Sequence, residues 1–104
     1  MLLRIALAST AISLSSLTAF AAESIGIPAC DNFLAKYQAC VTNKVPADKK
    51  AMMQSGVDGM RKGWIELRTL VERDEIERED VEEICRQAPA QMKQTFESFG
   101  CSLD

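Results

Sequence analysis

The chain of 104 residues contains no histidine, one tryptophan, one tyrosine and four phenylalanines. Histidine is the side chain that most often acts as a general base and as a metal ligand at neutral pH, so its absence weakens the case for both kinds of site. A Cys-x-x-Cys redox pair is also missing, and no serine lies in a recognisable nucleophile motif. The sequence therefore predicts a protein that is not an enzyme and that holds no metal or cofactor.

Positive charge is also scarce. Arg4 is the only charged residue among the first 21, and the rest of the chain carries eleven basic and fifteen acidic residues, a net charge of −4. Nucleic acids and anionic membranes attract proteins through basic surfaces. We therefore expect neither nucleic acid nor a membrane surface to be a partner of the mature protein.

Long apolar runs are missing except at the start of the chain. After a short basic beginning, residues 5–17 are uncharged, and Ala19 and Ala21 place small residues where a signal peptidase reads them. The run is too short to cross the ~30 Å apolar core of a membrane as a helix. The pattern predicts a secretory signal peptide over residues 1–21, with cleavage before Ala22.

Residues 22–104 are then expected to form one small domain. This domain contains all four cysteines of the chain, Cys30, Cys40, Cys85 and Cys101. An even number of cysteines in a short exported protein predicts a disulfide framework, whereas zinc sites show closely spaced cysteine pairs or added histidines. We expect two structural bridges and a location in the periplasm or outside the cell.

Apolar residues three and four apart predict three helices, with no strand-like alternation anywhere. The predicted face of the first helix consists of Cys30, Phe33, Leu34, Tyr37, Cys40 and Val41. That of the second consists of Met53, Val57, Met60, Trp64, Leu67 and Val71. That of the third consists of Val81, Cys85, Ala88, Met92, Thr95 and Phe99, flanked by Ile84 and Phe96. The expected fold is an all-α, small, disulfide-stapled three-helix bundle, with the third helix kinked or split at Pro89.

Three glycines lie beside the apolar seam of the second helix: Gly56, Gly59 and Gly63. Each costs about 1 kcal/mol against alanine inside a helix, so a reason for them is expected. One reason is tight packing against another helix of the bundle, which we favour for so small a fold. The other is an interaction face for a partner or ligand, formed by these glycines with Met60 and Trp64.

Residues 72–83 hold eight acidic side chains and two arginines. They lack the glycine and the alternating acids of a calcium loop. Acidic residues are favoured at the start of a helix by its dipole, and here they would begin the third helix. We expect this run to be a solvated helix surface.

Several short patterns spread over the mature chain resemble a family of small exported bacterial helical proteins to which no activity is assigned. They are Ile27-Pro28-Ala29-Cys30-Asp31, Tyr37-x-x-Cys40, Lys44-Val45-Pro46, Trp64 and the terminal Phe99-Gly100-Cys101. The Cys-x9-Cys pair and the terminal Phe-Gly-Cys are its main marks. The resemblance implies a shared disulfide-stapled fold and carries no activity with it.

The pairing of the cysteines follows from helix lengths if the first and third helices run parallel. Cys30 and Cys40 are held roughly 15 Å apart along one helix and do not reach each other. Pairing Cys40 with Cys85 would join levels over 20 Å apart, whereas Cys30 and Cys85 are mismatched by roughly 9 Å. We predict the bridges Cys30–Cys85 and Cys40–Cys101, with tilt or a kink at Pro89 absorbing the mismatch.

The function expected from these features is that of a non-catalytic exported helical protein that binds an unidentified protein partner through an exposed helical face. The alternative is a periplasmic stress or chaperone-like protein, or a homo-oligomer, that uses its Met-rich apolar seam as an adaptable surface. A homodimer is left open by the seam of the second helix.

Overall fold

The structure, a computed structural model, describes residues 23–102. The predicted signal peptide and its cleavage site before Ala22 lie outside these residues. Across the described range the chain forms three helices and no strand: α1 (Pro28–Lys44), α2 (Ala47–Glu72) and α3 (Arg78–Ser98). The prediction of an all-α, disulfide-stapled three-helix bundle is confirmed.

The first helix, α1, forms the centre of the core. Its buried residues are Cys30, Phe33, Leu34, Tyr37, Cys40 and Val41, which are the six predicted from the spacing. Pro28 begins the helix, where a missing N–H costs nothing. Val45 ends it in extended backbone because the following Pro46 disfavours the helical conformation.

Aromatic rings join the three helices in the core. Phe33 of α1 stacks on Phe96 of α3 at 5.8 Å between ring centroids and lies 6.1 Å from Trp64 of α2. Tyr37 packs on Phe96 from the next turn, at 5.4 Å. Phe96 is fully buried, although the sequence pattern placed it only beside the seam of α3. Ile84, its predicted counterpart on the other flank, is 44% exposed.

Two disulfides tie α3 to α1 in parallel. Cys30 pairs with Cys85 at a Cα–Cα distance of 4.9 Å, and Cys40 pairs with Cys101 at 5.7 Å. This is the pairing that the helix lengths predict. The earlier cysteine of α1 pairs with the earlier of the two partners and the later cysteine with the later one, so α1 and α3 run in the same direction.

The stretch from Cys85 to Cys101 is longer in sequence than that from Cys30 to Cys40, and the turn after α3 shortens the distance that it spans. The helix ends at Ser98, and Gly100 adopts a positive φ of 76° that only glycine reaches without strain. The N–H of Cys101 then donates to the carbonyl of Phe96 at 2.9 Å, which turns the chain back along the helix. Pro89 lies within α3, which runs on both sides of it as one helix, so the predicted split does not occur.

The segment before α1 is part of the core, which the helical pattern did not predict. Ile25 and Ile27 are fully buried beside the three helices. Gly26 between them has a φ of 83°, which turns both isoleucines inward. Residues 23–27 therefore form a strap, named here the N-terminal strap, that is packed against the bundle.

Candidate functional site

One side of α2 is left uncovered by the rest of the described chain. Its residues recur three or four apart and are all exposed or half-buried, and we call this side the outer face of α2: Met52, Ser55, Gly59, Lys62, Gly63, Glu66 and Leu70. Only Val57 and Trp64 of the 26 residues of α2 are buried. Met52 is the most exposed large apolar side chain among the described residues, at 69%. The longest helix thus has two buried residues and one side that is open to solvent.

Two shallow depressions adjoin on this face. One has a volume of about 450 Å³ and is bounded by Lys62, Ile65 and Glu66 of α2 and by Glu23 of the N-terminal strap. The other, of about 350 Å³, lies between Glu66 and Leu70 and extends towards the end of the helix. Glu66 borders both depressions. The surface is therefore ridged rather than flat, with apolar and charged side chains side by side.

The three glycines of α2 have different surroundings. A Cβ atom added to Gly56 would lie 2.5 Å from the hydroxyl oxygen of Tyr37, so this glycine is required by the packing of α2 against α1. Around Gly59 and Gly63 a Cβ atom would meet no atom within 4 Å. The favoured explanation, packing between helices of the bundle, holds for Gly56 and fails for the other two.

The remaining residues of the predicted interaction face lie inward. Trp64 is 7% exposed and packs against Phe33, while Met60 is half-buried against the core. The structure thus leaves the space around Gly59 and Gly63 open and turns Met60 and Trp64 towards the core, with Gly63 lying between the two sides of the helix. Met52, which the seam did not include, belongs to the exposed surface.

Charged side chains of both signs lie on the outer face and around its margins. Asp48 lies one turn before Met52, and Arg73 directly follows the last residue of α2. Asp58 and Lys62 lie one turn apart on one flank, where Asp58 accepts a hydrogen bond from Gln54 at 3.1 Å. Arg73 forms an exposed ion pair with Glu75 at 3.4 Å, a contact that a stronger partner could replace.

The N-terminal strap is fixed to α2 and α3 by two arginines. Arg68 donates to the carbonyl of Ser24 at 2.9 Å and pairs with Glu23 at 3.6 Å. Arg78 donates to the carbonyl of Gly26, also at 2.9 Å. These contacts hold the strap along the edge of α2, where Glu23 borders the larger depression.

Asp31 in the first turn of α1 anchors the same strap from the other side. Its carboxylate accepts hydrogen bonds from the backbone N–H groups of Ile25 and Gly26, at 2.7 and 3.0 Å, and from the hydroxyl of Ser24 at 2.9 Å. Burial raises the pKa of Asp31, but these donors, helped by the positive charge of Arg61, outweigh it and hold the pKa below its usual 3.8. The strap is thus stabilised by an ionised carboxylate.

The two disulfides differ in their access to solvent. Cys30 and Cys85 are 0% and 1% exposed, so no reagent reaches their sulfur atoms in the folded protein. Cys101 is half-exposed, and together with Cys40 it borders a shallow depression of about 190 Å³ flanked by Lys36 and Lys44. The Cys40–Cys101 disulfide is therefore the one open to thiol reagents.

The acidic run at the start of α3 is arranged as ion pairs along the helix surface. Arg78 pairs with Glu82 at 3.4 Å, and Arg86 pairs with Glu82 and Glu83 at 3.7 and 3.0 Å. Within residues 23–102 no cluster of three or more acidic, cysteine or histidine side chains could hold a metal ion. This arrangement agrees with the expected solvated helix surface.

The fold and the site define a small disulfide-linked three-helix protein with one uncovered helix face. None of the helices in residues 23–102 is long and apolar enough to cross a membrane. No family model, no curated protein and no solved structure matches the chain. The resemblance to small exported bacterial proteins stays a prediction.

Proposed function

We propose that this protein is a non-catalytic exported module that binds a protein partner on the outer face of α2. The single observation that carries the proposal is the open surface at Gly59 and Gly63. Each glycine lowers the stability of the helix by about 1 kcal/mol relative to alanine, and neither is needed for packing inside the chain. A partner that approaches the helix backbone closely explains why glycine is present at these two positions.

The rest of the face fits this role. An exposed Met52 at one end and a half-buried Leu70 near the other provide apolar contact, and charged residues lie between and around them. Protein interfaces combine apolar anchors with a polar rim in this way. Methionine also adapts its shape to a partner because its side chain is unbranched and flexible.

Export is supported by the signal-like pattern of residues 1–21 and by the two disulfides, which persist in oxidising compartments. A periplasmic or secreted location follows from the proposal. The intact mass of the exported protein checks it: we expect a chain that begins at Ala22, and a full-length membrane-bound chain would contradict export.

The alternative role of a stress-related chaperone depends on the Met-rich seam. In the folded protein Met53, Met60 and Met92 pack against the core, so a chaperone that used them would require the bundle to open. The outer face of α2 needs no such opening. We therefore prefer binding by the folded protein.

Site-specific photo-crosslinking tests the proposal. p-Benzoylphenylalanine in place of Met52 samples the outer face, and the same group in place of Ile84 samples the exposed surface of α3 as a matched control. Irradiation in the native envelope should give a discrete protein adduct from position 52 and none from position 84. Adducts from position 84 alone, or equal labelling from both, would contradict the proposed surface.

A further inference from the structure

We propose that the partner of the outer face is a second copy of this chain, bound with the two α2 helices antiparallel. The twofold axis crosses the outer face at the level midway between Met60 and Arg61. The inference rests on the proposed function and names its partner. A twofold interface requires a surface that is complementary to itself. The outer face of α2 meets this requirement in its apolar residues and its glycines, and the charged residues at its margins meet it as well.

Opposite charges lie at equal or similar distances on the two sides of this axis. At 1.5 Å per residue, Asp48 and Arg73 are each about 19 Å from it, one before and one after. Asp58 and Lys62 lie about 4 and 2 Å from it on the same flank of the helix. In an antiparallel pair each acid therefore faces the base of the other copy, and the symmetry forms each contact twice.

Apolar and small residues match about the same axis. Met52 and Leu70 lie about 13 and 14 Å from it, so each methionine meets the leucine of the other copy. Gly59 and Gly63 lie next to the axis, where the two helices come closest. The distance between packed helices depends on the side chains at their contact, and two glycines allow the backbones to approach.

The contact is small, which sets the expected strength. It extends along one face of a single helix for about 27 Å between Met52 and Leu70. A contact along one face of a single helix buries less than the ~1,200 Å² of surface that stable complexes usually bury. We expect a weak dimer with a dissociation constant on the order of 10–100 μM, weakened further by salt because four ion pairs contribute.

Sedimentation velocity of the purified exported protein, from about 1 μM to 1 mM, tests the inference across that range. The wild type should shift from monomer to dimer. Lys62→Asp brings two acids together at the axis and should weaken the dimer at least tenfold, and Asp58→Lys should do the same. The double variant Asp58→Lys/Lys62→Asp exchanges the charges and should restore the wild-type affinity. Lys93→Glu on α3, which removes an exposed pair with Glu97, should leave the dimer unchanged.

A strict monomer over the whole range, or a double variant that fails to recover, would overturn the twofold interface. The crosslinking comparison keeps the two proposals apart. An adduct from position 52 with the mass of two copies supports self-association. An adduct with a different protein, together with a monomer in sedimentation, overturns the dimer and leaves the binding surface standing.

Discussion

The hydroxyl oxygen of Tyr37 lies 2.5 Å from the point where a Cβ atom on Gly56 would be. Tyr37 is buried between Phe33 and Phe96, so its ring has little freedom to move aside. Gly56 is therefore a packing residue. Gly59, three positions further along the same helix, has open space in the same place.

This contrast predicts opposite effects of one substitution. Gly59→Ala should raise the free energy of unfolding by about 1 kcal/mol, because alanine is the better helix former and meets no atom. Gly56→Ala should lower it by about 1 kcal/mol, because the contact with Tyr37 outweighs the same gain. Chemical denaturation at low micromolar concentration, where the weak dimer is dissociated, measures both variants. Equal shifts in the two would contradict the assignment.

The disulfides should be reduced in order. A soluble dithiol should open Cys40–Cys101 first, since Cys101 is half-exposed, and Cys30–Cys85 only after the fold loosens. The bridges close separations of 55 and 61 residues, so each should contribute about 4 kcal/mol by limiting the unfolded chain. Alkylation of partly reduced protein followed by peptide mapping gives the order. Simultaneous opening of both bridges, or early labelling of Cys85, would show that burial does not protect Cys30–Cys85.

The carboxylate of Asp31 should make stability depend on acidity. Its pKa in the folded protein lies below the 3.8 of the unfolded chain, so its contribution is complete above pH 3.8 and is lost as the pH falls through the lower folded value. Asp31→Asn should therefore lower the unfolding free energy by about 1 kcal/mol at pH 7 and by less at pH 2. Gln94→Ala on the exposed surface of α3 changes no ionisable group and serves as the control, so its effect should be the same at both pH values. A constant difference between pH 7 and pH 2 would contradict the role of the ionised group.

The helices and the bridges were predictable because they depend on regular geometry. The spacing of Phe33, Tyr37 and Val41 defines the buried side of α1, and a fixed rise per residue selects Cys30–Cys85 over Cys40–Cys85. The turn at Gly100, which shortens the distance from Cys85 to Cys101, lies outside that arithmetic. It depends on one positive φ after the helix, which a calculation from straight helices leaves out.

The strap and the exposed glycines were not predictable from periodicity. Ile25 and Ile27 lie outside any helix, and the only local signal is the pair of isoleucines around Gly26. Gly59 and Gly63 lie near the edge of the seam, so a modest rotation of α2 decides whether they face a neighbouring helix or solvent. That rotation is set by contacts such as Tyr37 at Gly56, which appear only when the helices are packed.

The most direct test of the account compares stability and binding in the double variant Gly59→Ala/Gly63→Ala. Its unfolding free energy should rise by about 1–2 kcal/mol, because two helix-weakening residues are replaced where no atom obstructs them. Its crosslinking yield from p-benzoylphenylalanine in place of Met52 should fall several-fold, because the added methyl groups hold a partner away from the helix. A more stable variant with an unchanged yield would contradict the claim that these glycines serve an interface.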